Sequence, residues 1–342
     1  MLLISGGGTG GHFFPALAFI DFVKEREKVL FIGAKRGIEF KLRDKIPSEK
    51  IFLEVYPFRG VPLKEKLKAL YYFIKSQWEI KVSGDFKSLV FGGYASIPLG
   101  IYTIRKGKPL FIHEQNSIPS KTNRLLSKRA KKIFITFEYT KKYFKNAKKV
   151  GIPIRKELLR RIDKREAKEK LGLDPEKETL LILGGSQGAL FLNRLALELA
   201  KYTTMQIILI SGTEHYDSLK EFINERFKII PFSLNMNLIY SASDFAISRA
   251  GAGTITELSL YGIPALFIPY PFAADDHQYF NAKEIEELGG GRVIRQEEAN
   301  LKRVLKELSY IVANKEEMSK AIKEFANPKA TEEIYDAIKS FF

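Results

Sequence analysis

Leu3-Ile4-Ser5-Gly6-Gly7-Gly8-Thr9-Gly10-Gly11-His12 opens the chain, and Leu181-Ile182-Leu183-Gly184-Gly185-Ser186-Gln187-Gly188-Ala189 repeats its construction near the middle. Each is an apolar run, a glycine-rich turn and the start of a helical pattern. The apolar run reads as a strand, and the helix that follows presents unpaired N–H groups and the positive end of its dipole to the turn. Glycines let backbone approach a ligand there, so the arrangement suits a phosphate group. Ser248-Arg249-Ala250-Gly251-Ala252-Gly253-Thr254 supplies a third turn after a later strand pattern. One such turn serves strand-to-helix packing equally well; three in one chain favour phosphate.

Outward from these turns, short β-branched and aromatic runs alternate with longer amphipathic segments. Strands are expected at 2–5, 29–32, 51–55, 88–91, 110–113 and 133–136, then at 179–183, 206–210, 227–230, 245–248 and 265–268. Helical patterns fill 15–28, 63–82, 190–201, 254–261 and 281–288. This βαβ order predicts an α/β protein of two doubly wound parallel sheets, with ligands at the carboxyl ends of the strands. Val150-Gly151-Ile152-Pro153 marks the hinge. The expected domains are 1–152 and 153–325, both Rossmann-like.

The chain carries a formal net charge of +16, unevenly placed. Residues 1–154 hold 30 Lys/Arg against 12 Asp/Glu, whereas residues 155–342 hold 26 against 28. The basic half suits a polyanionic partner such as anionic lipid, nucleic acid or a phosphorylated substrate. Cysteine is absent, which removes disulfides and thiolate chemistry and fits a reducing compartment. No basic leader precedes the first apolar run, and no run reaches the roughly 18 apolar residues of a spanning helix.

Gly6, Gly8 and Gly11 satisfy the dinucleotide pattern G-x-G-x-x-G, but the second strand ends Ile32-Gly33-Ala34-Lys35-Arg36, without the acidic residue that would bind a ribose. A nicotinamide enzyme is disfavoured. No Gly-Lys-Ser/Thr loop, His-Glu-x-x-His or Gly-x-Ser-x-Gly occurs, so P-loop, metal and serine-nucleophile chemistry lack their motifs. In the third turn Glu257 follows Gly251 by less than two helical turns, a spacing at which a carboxylate can accept both ribose hydroxyls while the turn faces a diphosphate. Asp275-Asp276-His277-Gln278 crowds hydrogen-bonding groups ahead of a helix, as sugar hydroxyls require, although Asp276 could serve only as its N-cap. His113-Glu114-Gln115-Asn116 lies just beyond a strand end, where active sites gather.

Gly7 to His12, Gly92-Gly93-Tyr94, His113 to Asn116, Gly184 to Ala189, Gly251 to Glu257 and His277-Gln278-Tyr279-Phe280-Asn281-Ala282, in this order, closely resemble the MurG family of glycosyltransferase family 28. The resemblance runs from the first strand to about residue 285. It implies a GT-B fold, two Rossmann-like domains facing across a cleft, the first acceptor- and membrane-binding and the second binding the UDP-sugar, with residues 326–342 a helical segment that packs back on the first. It also implies inverting transfer of GlcNAc from UDP-GlcNAc to undecaprenyl-pyrophosphoryl-MurNAc-pentapeptide (lipid I), giving lipid II at the cytoplasmic face of the bacterial membrane. A related GT-B enzyme with another lipid acceptor, such as diacylglycerol, is the alternative. Carried across by motif, Thr9, Gly10 and Gly11 would approach the diphosphate and acceptor. Asn116 and Gln278 would hold the GlcNAc hydroxyls, and Arg155 and Ser186 would meet phosphate. Ala252, Gly253 and Thr254 would supply backbone groups, Glu257 would bind the ribose, and uracil would be read near Phe232 and Ser233. The family usually has asparagine where this chain has Ile152. The implied partners are UDP-GlcNAc, lipid I, an anionic membrane surface and other cell-wall synthesis proteins, with no nucleic acid, no cofactor and no tightly bound metal.

A single displacement needs a base at the acceptor hydroxyl. His12 is the first choice, because histidine ordinarily titrates near pH 6.5, and Glu114 is the second. A role for His12 in orienting the acceptor pyrophosphate remains equally open on the sequence. Leu63, Leu67, Leu70, Ile74 and Trp78 recur at helical spacing among lysines. Periodicity alone would make this stripe core; the lipid-linked acceptor and the chain's one tryptophan point to a peripheral membrane contact.

Overall fold

The apolar run Leu2-Leu3-Ile4 is wholly buried, because alternate side chains enter apolar layers on opposite faces of one sheet. The computed structural model describes residues 1–56, 62–185 and 188–341. They form two units, Met1–Arg155 with Pro328–Phe342, and Lys156–Asn327.

Unit 1 runs β1 (Leu2–Ser5), α1 (Gly10–Val23), β2 (Val29–Ala34), α2 (Ile38–Lys41), β3 (Glu49–Leu53), α3 (Leu63–Glu79), β4 (Lys87–Val90), α4 (Ile97–Arg105), β5 (Leu110–Glu114), α5 (Lys121–Ser127), β6 (Lys132–Ile135) and β7 (Lys148–Lys149). All pairings are parallel, in the order β3-β2-β1-β4-β5-β6-β7. The order reverses between β1 and β4, paired Leu2↔Lys87 through Ser5↔Val90. A doubly wound sheet opens a crevice at such a switch point. The turns after these two strands are Gly6–Gly11 and Gly92–Gly93.

Unit 2 runs α6 (Lys164–Lys170), β8 (Thr179–Leu183), α7 (Leu190–Tyr202), β9 (Gln206–Ile210), β10 (Phe227–Ile230), α8 (Met236–Ala242), β11 (Phe245–Ser248), α9 (Ala252–Tyr261), β12 (Ala265–Phe267), α10 (His277–Glu287), β13 (Gly291–Val293), α11 (Leu301–Ala313) and α12 (Lys315–Lys323). Its sheet is also parallel, ordered β10-β9-β8-β11-β12-β13. The switch point falls between β8 and β11, the strands that lead into the other two glycine turns.

The chain then returns to unit 1 as α13 (Ala330–Ile338), whose Ile334 and Ile338 are fully buried in the layer containing Leu2, Ile4, Phe19 and Phe91. Tyr335 packs edge-on to Phe22, and Lys87, fully buried, donates to the Lys339 carbonyl at 3.1 Å.

Element types agree with the pattern reading, while several boundaries shift. α1 begins at Gly10 rather than 15, since its first turn lies over the site and has no apolar stripe to announce it. Pro15 sits inside α1, where its missing N–H leaves the Gly11 carbonyl without a helical donor. β3 covers 49–53 rather than 51–55, a register set by pairing of Leu30 with Glu49. Among the described residues no helix is long and apolar enough to cross a membrane.

Candidate functional site

In unit 1 the glycine turn is squeezed from both sides. Gly8 has φ +85°, and a Cβ there would lie 2.8 Å from the Tyr94 ring. Below it the buried Glu39 carboxylate accepts the Gly8 N–H at 2.8 Å and the Ala34 N–H at 3.1 Å. Gly8 therefore spends its N–H on a protein carboxylate rather than on a ligand anion. Thr9, extended at φ −137°, caps α1 without a side-chain bond, and with Gly10 and Gly11 it lies at the accessible start of the helix. First-turn amides have no earlier helical carbonyl to pair with.

His12 follows in the same turn, half-buried. Its Nδ1 lies 2.9 Å from the Phe91 carbonyl and 2.8 Å from Gln115 Oε1. A carbonyl only accepts, so Nδ1 carries the hydrogen and Nε2 holds the lone pair. Among the described residues Nε2 makes no hydrogen bond. This is the tautomer of a proton acceptor.

β5 delivers His113, Glu114 and Gln115, all buried. Glu114, the second candidate base, has another task. Its Oε1 accepts the Asn116 N–H at 3.0 Å, and Oε2 accepts the Ser120 N–H at 3.0 Å and Asn123 Nδ2 at 2.8 Å. With no exposed surface, it builds the loop that carries half-buried Asn116, and the geometry argues against it as the base. Burial drives the His113 pKa down to about 4, so that ring is neutral near pH 7. Arg155, half-buried at the end of the unit, has its guanidinium 5.7 Å from the Phe14 ring centre.

In unit 2, Ser186 lies outside the described residues. Next in that turn, Gly188 has φ +75°, and any Cβ would collide with the Ser211 carbonyl. After β11, Gly251 caps α9, and Ala252, Gly253 and Thr254 form the first turn of that helix. A Cβ on Gly253 would meet nothing within 4 Å. Glu257, half-buried in α9, accepts the Tyr240 hydroxyl at 2.7 Å on Oε2. Gln278 accepts the Ala250 and Tyr270 N–H groups at 3.2 and 2.9 Å through Oε1. Both bonds fix the amide with its NH2 as the remaining group, and that group donates to no described residue. Asn281 is buried and donates to the Ala250 carbonyl, which fastens α10 to the turn. Ser233 accepts the Asn235 N–H at 3.0 Å, a local turn bond, next to exposed Phe232.

Asp276 stands at the N-cap of α10 but caps nothing; its carboxylate pairs with Arg295 at 2.8 Å. Asp275 and Asp276 both have positive φ, 54° and 56°, an uncommon backbone for non-glycine residues that sharply redirects the chain into α10. Arg249 carried no expectation. It is buried, donates to the Ile268 and Pro269 carbonyls at 3.0 Å and to Gln296 Oε1 at 2.6 Å, and leaves Nε without a partner. Burial lowers its pKa from the ordinary value. The turn before α9 thus contains a guanidinium as well as a helix N-terminus. Glu39 and Tyr240 escaped sequence reasoning, and Gln115 and Arg249 stood in their motifs without a task, because each acts through a partner distant in the chain or through backbone carbonyls. Among the described residues no three His, Asp or Glu side chains cluster as metal ligands.

The chain matches the glycosyltransferase family 28 N-terminal domain over residues 2–135 and the family 28 C-terminal domain over residues 179–340. It is 57% identical, over 99% of both chains, to the UDP-N-acetylglucosamine--N-acetylmuramyl-(pentapeptide) pyrophosphoryl-undecaprenol N-acetylglucosamine transferase of Aquifex aeolicus. It is 38% identical to the Sulfurihydrogenibium protein of the same name, over 100% of this chain and 98% of the other. The crystal structure of Acinetobacter baumannii MurG superposes with a TM-score of 0.76 at 28% identity, over 99% of both chains.

Proposed function

The chain belongs to glycosyltransferase family 28, and from that premise we propose that it transfers GlcNAc from UDP-GlcNAc to the 4-hydroxyl of MurNAc in lipid I, forming lipid II. It is a UDP-GlcNAc-dependent hexosyltransferase of GT-B type. The observation that carries this reading is the 57% identity, over 99% of both chains, to a transferase bearing that activity in its name.

In the displacement the acceptor O4 bonds to C1 of GlcNAc from the face opposite the leaving group. The bond from C1 to the β-phosphate oxygen breaks, its electron pair departs on UDP, and the α-linked donor becomes a β-1,4 product. The proton of O4 passes to His12 Nε2, which the tautomer set by the Phe91 carbonyl supports. Thr9, Gly10 and Gly11 receive the acceptor's pyrophosphate end. Gln278, with its amide oxygen tied to backbone, donates to a GlcNAc hydroxyl, and Asn116 is its counterpart in unit 1. Glu257 takes the ribose hydroxyls, and uracil lies by Phe232 and Ser233. Charge building on the diphosphate meets the N-terminus of α9, with Arg249 in the turn that precedes it, Arg155 and Ser186. These groups supply the stabilisation that a divalent cation gives elsewhere, so the reaction runs without a metal.

The product is a building unit of peptidoglycan, and through it the enzyme serves cell shape and division at the cytoplasmic face of the cell membrane. Contact with the bilayer is assigned to α3. Leu63, Leu67 and Trp78 are 73%, 62% and 72% exposed, Leu70 and Ile74 are exposed beside them, and Lys64, Lys66, Lys68 and Lys75 flank the stripe. Contiguous exposed apolar surface rimmed by lysine suits an anionic lipid headgroup layer. The deciding experiment incubates purified protein with radiolabelled UDP-GlcNAc and either a lipid I analogue or diacylglycerol, each with and without EDTA. Labelled lipid II in both samples is expected; transfer only to diacylglycerol, or none, overturns the assignment.

A further inference from the structure

Gln115 lies 103 positions from His12 in sequence, yet its Oε1 is 2.8 Å from His12 Nδ1. An amide can be turned either way, and its surroundings decide which. Gln115 Nε2 lies 2.9 Å from His113 Nδ1 and 3.1 Å from the His113 carbonyl. The carbonyl must accept, so that nitrogen is the NH2 group. His113 Nδ1 must accept as well, because His113 Nε2 donates to the Gly151 carbonyl at 2.7 Å. Turned over, the amide would set its oxygen against two acceptors and its NH2 against the Nδ1–H of His12.

Every proton in the chain is therefore placed by a backbone carbonyl: Gly151 fixes the tautomer of His113, His113 fixes the amide, and the amide together with Phe91 fixes the tautomer of His12. The relay is sealed, with His113 and Gln115 at 0% and 1% exposure. Burial keeps His113 neutral, which preserves the lone pair on its Nδ1. When His12 takes a proton at Nε2, its Nδ1–H already points at two oxygens, and the positive charge forms where their dipoles favour it.

We propose that Gln115, locked by His113, is a positioning residue that holds His12 in the Nδ1–H tautomer and steadies the imidazolium formed during transfer. The proposal rests on the base role given to His12 above. Nitrogen-15 NMR of histidine-labelled protein reads the tautomers directly, and with only four histidines the signals can be assigned by substitution. The expected result is Nδ1–H for neutral His12 and Nε2–H for His113. Gln115→Met, similar in size but unable to accept, should lower kcat about 10-fold, the equivalent of one neutral hydrogen bond, with KM for both substrates within about twofold. It should also raise the share of the Nε2–H tautomer of His12, because the Phe91 carbonyl is then the one remaining acceptor for Nδ1–H. His113→Phe, which keeps the ring volume, should reproduce the kcat loss in smaller degree and serves if the Met variant fails to fold. Nε2–H on wild-type His12, or unchanged kcat in both variants, overturns the proposal. The base reading fails separately: His12→Ala would then retain kcat with a raised acceptor KM, while the wild-type tautomers stayed as assigned.

Discussion

At the scale of single residues, the ribose contact proposed for Glu257 can be tested through the group that holds its carboxylate. Tyr240 donates to one carboxylate oxygen and so fixes the orientation of the group. Glu257→Ala should weaken UDP-GlcNAc binding about 10-fold or more by calorimetry, since hydrogen bonds to a charged acceptor contribute about 1.5–3 kcal/mol, and Tyr240→Phe should weaken it less. Unchanged affinity in the alanine variant would place the ribose elsewhere. His113 gives a pH signature. Its folded pKa near 4 lies below the unfolded value of about 6.5, so between these values the unfolded chain binds a proton that the folded chain refuses. Its stabilising contribution is complete above about pH 6.5 and is lost as pH falls towards 4. Between pH 7 and 5 this group should cost about 2 kcal/mol of unfolding free energy, read from urea midpoints. His113→Phe should be less stable at pH 7 and should lack this component of the pH slope; an unaltered slope would assign the titration to other groups. Glu257 and Gln278 could be picked out in the sequence because each follows a glycine turn or opens a helix at a short, fixed spacing. Gln115 could be listed but not given a task, since its partner arrives from β1's turn by folding.

At the scale of elements, the order of strands and helices was legible because apolar runs and helical periods differ in wavelength, whereas boundaries were not, because hydrogen-bond register decides them. α3 was ambiguous for a sharper reason: a stripe at helical spacing looks the same whether it faces a core or a membrane. Its exposure sets the stripe outside the core of unit 1, and Ala69, Ser76 and Gln77 form the face that is buried. Replacing Ile74 and Trp78 with serine should therefore cut co-sedimentation with anionic vesicles severalfold while leaving the melting temperature and UDP-GlcNAc affinity nearly intact. A large drop in melting temperature with unchanged vesicle binding would return the stripe to a structural role. α9 allows the opposite test. Gly253 lies in its first turn with open space around it and without positive φ, so Gly253→Ala should add up to about 1 kcal/mol of stability through helix propensity. If the diphosphate approaches that turn, the same methyl should weaken donor binding. A variant both more stable and equally tight for UDP-GlcNAc would move the phosphate away from Gly253.

At the scale of the whole molecule, each unit owns a doubly wound sheet and carries its glycine turns at the point where strand order reverses. That coincidence could be anticipated from βαβ order, but the strand order itself could not, because it depends on which edges meet. The charge excess belongs to the half that holds α3, and vesicle binding should accordingly fall as salt rises. Unit 1 is closed by α13, and Ile334→Ala should cost about 2–5 kcal/mol and lower the melting temperature, because the side chain is fully buried against β1 and its neighbours. A loss well below 1 kcal/mol would mean that α13 only rests on the surface. Because Pro328–Phe342 belongs to unit 1 while Lys156–Asn327 forms unit 2, unit 1 begins synthesis before unit 2 and can be finished only after it. At about 5–20 residues per second, translation of the intervening segment takes on the order of 10–30 s. Through that interval the apolar layer awaiting Ile334 and Ile338 stays open on a nascent chain, a surface that a ribosome-associated chaperone would meet before the enzyme's own last helix does.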